Sequence, residues 1–168
     1  MNASNPSFQP KAVRLMPVRK PTVVLASGVF DLIHYGHIYY LQEAKKAGGP
    51  KARLVVIIAR DQTVERLKGT HPVLPEDQRR AVVESLKPVD EAILGLEDLS
   101  FGTVIERVQP DVIAVGYDQQ AVEAAVRSAI ARTGKRVRIV RIGQFDRSSL
   151  DSSSKIKRKI IAELKDDR

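Results

Sequence analysis

The sequence has no cysteine, and histidine occurs only three times among its 168 residues. Without cysteine the chain can form neither disulfides nor thiolate nucleophiles, which favours a cytoplasmic protein. No apolar run approaches the roughly 20 residues that a membrane-spanning helix needs, so we expect no membrane partner. The patterns G-x-x-x-x-G-K-[ST] and G-x-G-x-x-G are also absent, and this excludes a P-loop and a dinucleotide fingerprint.

Acidic residues are missing from the first 21 positions, although the whole chain carries a net charge of +8. Half of that excess comes from Lys11, Arg14, Arg19 and Lys20. The segment is rich in Asn, Ser and Pro, and it lacks apolar periodicity and the apolar core of a secretory signal. We expect 1–21 to be a basic, disordered segment and 22–168 to be one folded domain, whose remaining positive charge suits a polyphosphate ligand.

Short apolar runs alternate with segments of helical periodicity along the rest of the chain. The predicted strands are 22–26, 53–59, 91–94, 112–115 and 137–142. The predicted helices run from about 37 to 48, from 75 to 87, from 101 to 107, from 119 to 133 and from 152 to 165. This alternation predicts an α/β fold with a doubly wound parallel sheet of five strands. We interpret 60–74 as a long polar connection, of the kind that often carries function.

The run GVFDLIHYGH (Gly28–His37) lies where the first strand meets the first helix. A helix N-terminus stabilises anions, and Gly36 allows a phosphate to approach the backbone closely. An H-x-x-H spacing also suits zinc, but the third histidine, His71, is remote and no cysteine exists. We therefore expect His34 and His37 to contact a phosphate, and we predict no metal site made by the protein.

Three further side chains each have two interpretations. Arg79 shares a helix face with apolar residues, so it needs either a salt-bridge partner within the chain or a ligand. Lys68 lies in the polar connection, where it is either solvated or in contact with a phosphate. Asp118 follows the fourth predicted strand, where it either caps the next helix or recognises a nucleotide.

Three consecutive serines, at positions 152–154, precede the last predicted helix. One serine would be explained as an N-cap, whereas three also offer hydroxyl and N–H groups to a second phosphate. The helix itself has one apolar face, formed by Ile156, Ile160, Ile161 and Leu164.

The run Gly28–His37 resembles the G-x-F-D-x-x-H-x-G-H signature of the cytidylyltransferase-like nucleotidyltransferases. The segment 147–156 is similar to the family's R-x-x-x-I-S-[ST]-[ST]-x-I element, although Asp151 stands where the family usually has isoleucine. The resemblance covers nearly all of 21–165. It implies that 22–168 is a Rossmann-like nucleotidyltransferase domain, that the protein is an enzyme, and that it forms a homodimer.

The resemblance also implies roles for individual residues. Those expected to take part in catalysis are His34, His37, Lys68 and Arg147. Those expected to bind the nucleotide are Gly28, Val29, Phe30, Gly36, Arg79, Gly116, Asp118, Ser152, Ser153 and Ser154. Those expected to bind the acceptor are Asp31, Asp61 and Lys68. A magnesium ion held mainly by substrate phosphates and water is expected beside them.

A longer set of matches concerns the acceptor. The segments 59–64, 67–69, 75–80, 86–90 and 116–119 together resemble the archaeal-type FAD synthases, which implies transfer of AMP from ATP to the phosphate of FMN. One alternative is a cytidylyltransferase acting on glycerol 3-phosphate or another small alcohol phosphate. Another is a non-catalytic module that binds nucleotides or RNA. Only the basic leading segment and the positive charge support this alternative, so we do not expect a nucleic-acid partner.

Overall fold

The protein is described by a computed structural model that covers residues 20–96, 100–145 and 150–166. Its centre is a sheet of five parallel strands in the order β3-β2-β1-β4-β5. The strands are β1 (Val23–Gly28), β2 (Arg53–Ile58), β3 (Glu91–Leu94), β4 (Val112–Gly116) and β5 (Arg138–Ile142). This confirms the predicted doubly wound sheet. The proposed boundary after residue 21 stays a prediction, because 1–19 lie outside the described residues.

Six helices connect and flank the strands in the described ranges. They are α1 (Tyr35–Ala47), α2 (Asp61–Lys68), α3 (Glu76–Glu84), α4 (Phe101–Val108), α5 (Gln120–Thr133) and α6 (Ser153–Asp166). The prediction of a polar connection over 60–74 was wrong for its first half, which is α2. Only Thr63 and Val64 of α2 are buried, so its apolar stripe is too narrow to produce a helical pattern in the sequence.

Successive strand residues point to opposite faces, and each face is covered by helices. On one face, Val24, Val56 and Ile58 pack with Leu41 of α1 and Val83 of α3. On the other face, residues such as Leu25 and Val115 pack with side chains of α4 and α5. Burial on both faces explains why the strands are almost continuously apolar. No helix in the described part of the chain is long and apolar enough to cross a membrane.

The strand order reverses between β1 and β4, because the chain leaves β1 towards β2 on one side and returns to β4 on the other. In sheets of this kind, ligands bind beyond the carboxyl ends of the strands at that point. The segment 29–34 follows β1 and the segment 117–119 follows β4, so both border this crevice. Helix α6 begins beside it, and its residues Ile160, Ile161 and Leu164 are exposed rather than packed in the core.

Candidate active site at the switch point

The turn between β1 and α1 has an unusual backbone. Phe30 and Leu32 have φ values of 54° and 47°, in the left-handed region that side chains disfavour by about 1 kcal/mol each. Asp31 lies between them and is buried. Its carboxylate accepts hydrogen bonds from the N–H groups of Val73 and Leu74, at 3.0 and 3.1 Å. The strained turn is therefore held in place by the loop that precedes α3.

Burial and hydrogen bonds act in opposite directions on the Asp31 carboxyl group. Burial would raise its pKa, but the hydrogen bonds from Lys157, Val73 and Leu74 and the charge of Lys157 outweigh burial, so the pKa is lowered. The Nζ of Lys157 lies 2.8 Å from Oδ2 of Asp31. The predicted contact of Asp31 with an acceptor stays a prediction, and in the structure the carboxylate is occupied by groups of the chain itself.

The imidazoles of His34 and His37 stack, with 3.9 Å between ring centroids and 29° between ring planes. Their Nδ1 atoms are buried, and neither has a hydrogen-bond partner among the described residues. Buried polar atoms normally have partners, so two orphaned nitrogens in one turn indicate a place kept for a ligand. We call this arrangement the imidazole pair.

The pKa values of both imidazoles are lowered from 6.5, which favours their neutral form at pH 7. The pKa of His37 is lowered to about 3, mainly by burial and also by the neighbouring His34 and Lys68, against the opposing effect of Asp31. Burial also lowers the pKa of His34, while Asp151 opposes the change. A neutral imidazole still donates one N–H hydrogen bond, so the pair can bind an anion without first taking up a proton.

Two glycines of the turn are required by close packing within the chain. A Cβ at Gly28 would lie 2.8 Å from the ring of Phe30, and a Cβ at Gly36 would lie 2.9 Å from the backbone oxygen of Asp151. The ring of Phe30 in turn lies 5.2 Å from that of His37, centroid to centroid. The expected approach of a phosphate to Gly36 stays a prediction, because the closest group in the structure is the segment that leads into α6.

The serines at the start of α6 lie next to this turn. Ser153 donates a hydrogen bond from its Oγ to the backbone oxygen of Asp31. The Oγ of Ser152 accepts from the N–H of Lys155 at 3.3 Å, as an N-cap does, and Ser154 is exposed. The structure therefore brings the serines and the imidazole pair together. Arg147, the remaining basic residue expected here, lies outside the described residues.

Arg79 is fully buried and forms an ion pair with Asp61, whose Oδ1 lies 2.6 Å from its Nη2. Nη2 also donates to the backbone oxygen of Ala59, while Nε donates to that of Leu74 and Nη1 to that of Val29, so Arg79 joins three loops. Of the two interpretations given for Arg79, the ion pair within the chain is the one the structure contains. Its contact with a nucleotide stays a prediction.

Asp61 and Glu76 cap each other's helices. The N–H of Asp61 donates to Oε2 of Glu76 at 2.7 Å, and the N–H of Glu76 donates to Oδ2 of Asp61 at 3.2 Å. Arg60 also contacts Oε1 of Glu76. We call Arg60, Asp61, Glu76 and Arg79 the arginine cluster. A polar cavity of about 280 Å³ lies against it, on the β2 side of the crevice, where an acceptor was expected.

Lys68 is the last residue of α2 and is exposed. Its charge contributes to the lowered pKa of His37, so its ammonium acts electrostatically on the imidazole pair. Lys68 is therefore solvated and also influences the pKa of His37. Its contact with a phosphate stays a prediction.

The segment after β4 is braced by Gln119. Its Oε1 accepts from the N–H of Gly116 at 2.9 Å, and its Nε2 donates to the backbone oxygen of Ser27 at 3.4 Å. Asp118 is exposed and does not cap α5, because the N-cap residue in the described chain is Gln119. This removes the capping interpretation of Asp118 and leaves its recognition of a nucleotide as a prediction.

Sequence reasoning missed Lys157 as a residue of the site. A signal was present, since Ser153 and Lys157 are four residues apart in a helix and therefore lie on one face. Gln119 was also missed, and nothing in the sequence distinguished it from Asp118 beside it.

Comparison with known proteins gives one family. The model of the family described as cytidylyltransferase-like matches residues 25–159. The chain is 49% identical over 137 residues to a FAD synthase from Methanothermobacter marburgensis, an alignment that covers 82% of this chain and 84% of that protein. It is also 49% identical to a FAD synthase from Thermoplasma acidophilum, with 82% and 93% covered.

A solved structure of a related protein has the same fold. It is described as the lipopolysaccharide core biosynthesis protein from Thermoplasma volcanium, and it is 45% identical to this chain with a TM-score of 0.67. The match covers 74% of this chain and 98% of that one.

Proposed function

The chain belongs to the cytidylyltransferase-like family, and from that membership we propose that it is an FMN adenylyltransferase, which transfers AMP from ATP to FMN. In this reaction a phosphate oxygen of FMN attacks the α-phosphorus of ATP. The bond from that phosphorus to the bridging oxygen of the β-phosphate breaks, and FAD and pyrophosphate are formed. The choice of FMN and ATP rests on the FAD synthases that are 49% identical to this chain.

The imidazole pair is the observation that carries the nucleotidyl-transfer part of the proposal. Two neutral, stacked imidazoles with orphaned Nδ1 atoms stand at the N-terminus of α1, where the helix dipole also favours negative charge. The reaction needs no protein nucleophile. Catalysis then comes from holding the phosphates in line and stabilising the charge that develops on their oxygens.

We assign this stabilisation to His34 and His37. A bound triphosphate would favour protonation of the imidazoles, because nearby negative charge raises a histidine pKa. Hydrogen bonds from the imidazoles would strengthen as negative charge moves onto the departing pyrophosphate. Such interactions accelerate the reaction because they are stronger in the transition state than with bound ATP.

The other phosphate contacts are assigned by position. Ser152, Ser153 and Ser154 border the imidazole pair and are assigned to the leaving pyrophosphate, together with Arg147. Lys68 is assigned to the phosphate of the acceptor, since it acts on His37 from the β2 side. The cavity beside Asp61 is assigned to the polar part of FMN.

Gly28, Val29 and Phe30 are assigned to the wall of the nucleotide site, because they form the turn that carries the imidazole pair. Gly116 and Asp118 are assigned to the nucleoside, on the β4 side of the crevice.

We propose that magnesium is bound mainly by the substrate phosphates, whose charge it would offset. Among the described residues, no group of three or more histidine or carboxylate side chains could hold a metal ion. A homodimer and a cytoplasmic location also remain part of the proposal.

Chromatography of the flavins tests the function directly. The purified protein is incubated with FMN, magnesium and either ATP or CTP, and we expect FAD from ATP alone. A cytidine-containing flavin from CTP would change the nucleotide assignment. If neither nucleotide gives a flavin product, the FMN assignment is wrong, and glycerol 3-phosphate with CTP is the next substrate pair to assay.

A further inference from the structure

Two residues of helix α6 make polar contacts with Asp31, in the turn between β1 and α1. Ser153, in its first turn, donates a hydrogen bond to the backbone oxygen of Asp31. Lys157, one turn later, forms an ion pair with the Asp31 carboxylate at 2.8 Å. Asp31 therefore contacts α6 through both its backbone oxygen and its side-chain carboxylate.

The distal half of α6 contributes little to this attachment. Its apolar residues Ile160, Ile161 and Leu164 are 47%, 53% and 62% exposed. Lys159 pairs only loosely with Glu163 on the same helix, at 3.5 Å. The orientation of α6 on the domain thus depends on its first two turns. There, Lys157 forms the ion pair with Asp31.

The Asp31 end of the ion pair is rigidly placed. The Asp31 side chain is 5% exposed and also accepts from the N–H groups of Val73 and Leu74, whereas the Lys157 side chain is 35% exposed. A carboxylate held in this way cannot follow the helix, so the helix must adjust to it. The positive charge of Lys157 also offsets the negative charge of Asp31. Without it, Asp31 would repel phosphates bound by the neighbouring imidazole pair.

We propose that Lys157 is a positioning residue for nucleotidyl transfer. Through Asp31 it fixes the start of α6, so that the serines at 152–154 face the imidazole pair at the distance that the departing pyrophosphate requires. This inference rests on the proposed function. Its energetic basis is that a shift of about 1 Å in a catalytic group can reduce a rate by about 100-fold.

The variant Lys157→Met removes the ammonium and keeps much of the apolar stem. We expect kcat for FAD formation to fall by about 10- to 100-fold while the KM for ATP changes much less, because the serines act mainly on the departing pyrophosphate. Lys157→Arg keeps the charge and should restore kcat to within about 3-fold of the unmodified protein. The matched control is Lys159→Met, on the same helix, which should leave kcat unchanged.

Two readouts separate positioning from a general loss of structure. Hydrogen exchange of the amides at 153–158 should accelerate in Lys157→Met and not in Lys159→Met, while exchange in the sheet is unchanged in both. Calorimetric titration with pyrophosphate should show weaker binding by Lys157→Met alone. Neither readout needs FMN. If the protein forms no FAD, the proposed function is wrong, and the two readouts still decide whether Lys157 is a positioning residue.

Three results would overturn the role of Lys157. The first is equal kcat and equal pyrophosphate affinity in the two methionine variants. The second is an Arg variant as slow as Lys157→Met, since the paired charge would then not be the cause. The third is a loss of kcat that follows the unfolded fraction alone, with unchanged exchange at 153–158.

Discussion

Two polar clusters at the same edge of the sheet differ in how completely their hydrogen bonds are satisfied. In the arginine cluster, Arg79 is fully buried and donates to three backbone oxygens and to Asp61. In the imidazole pair, the buried Nδ1 atoms of His34 and His37 have no partner among the described residues. The arginine cluster, through its hydrogen bonds, fixes the loops in place, whereas the imidazole pair is available to a ligand.

The comparison assigns opposite consequences to mutations in the two clusters. Removing a group whose hydrogen bonds are all made within the chain leaves buried acceptors unpaired, and this lowers stability. Removing a nitrogen that has no hydrogen-bond partner among the described residues breaks no hydrogen bond of the folded state. Its loss is felt when a ligand, and above all a transition state, needs the missing hydrogen bond.

The largest effect is expected for His37→Ala. Loss of a hydrogen-bond donor that stabilises developing charge reduces kcat by about 100- to 1,000-fold. Stability at pH 7 should change far less than this loss of transition-state binding, which is about 3 to 4 kcal/mol. Turnover and urea denaturation, measured on the same preparations, test both statements.

The control for this variant is His71→Ala, because His71 is exposed and its Nε2 pairs with Oε1 of Glu65, at 3.1 Å. It should retain full turnover. A folded His37→Ala protein with normal turnover would remove the imidazole pair from the mechanism.

Arg79→Met should have the next largest effect, and this effect is on folding. The substitution leaves Asp61 without its buried counterion and leaves several loop carbonyl groups without donors. We expect the free energy of unfolding to fall by about 3 kcal/mol. Arg79→Lys should restore little, because one ammonium cannot replace a planar guanidinium that reaches three loops.

The adjacent Arg80 provides a matched control. It is partly exposed and pairs with Glu84 one turn away, so Arg80→Met should cost less than about 0.5 kcal/mol. If Arg79→Met lost turnover with full stability, the arginine cluster would be catalytic rather than structural.

The pH dependence of stability sharpens the same comparison. Burial places the pKa of His37 at about 3 in the folded protein, below its ordinary value of 6.5. Between these values the unfolded chain binds a proton at His37 that the folded chain does not, so stability falls as the pH is lowered through this window. The loss is at most about 1.4 kcal/mol per pH unit.

Urea denaturation at pH 7 and pH 5 measures this contribution. The unmodified protein should lose up to about 2 kcal/mol more than His37→Ala over that interval. Equal losses in the two proteins would mean that His37 is not held neutral by burial.

The sequence predicted the sheet well because its strands are buried on both faces, which makes them short apolar runs such as 53–59. It failed at α2, where only Thr63 and Val64 are buried and the apolar stripe is narrow. Helix recognition from periodicity needs a wider buried face than this helix has.

At the site, the sequence predicted residues that would lie near the crevice. It did not predict the groups of the chain with which these residues form hydrogen bonds and ion pairs. The apolar face that carries Arg79 required a partner, yet nothing local indicated Asp61, 18 positions earlier. Asp31 is a stronger case, because its partners are the N–H of Val73, 42 positions away, and an ammonium on the last helix. Contacts of this kind are set by the packing of the whole domain and leave no local pattern.

The smallest effect is expected for Lys68→Ala, which tests how far the imidazole pair depends on charge from outside it. Lys68 is exposed and acts on His37 only electrostatically in the structure, so its removal should leave stability unchanged. If its ammonium also reaches the acceptor phosphate, kcat/KM for FMN should fall by about 10-fold, or about 1.4 kcal/mol, and the fall should be larger at low salt. Lys51→Ala, at the opposite edge of the sheet, is the control. An unchanged kcat/KM in Lys68→Ala would restrict the phosphate contacts to the imidazole pair, the serines and Arg147, and the acceptor would then be held by the cavity beside Asp61 alone.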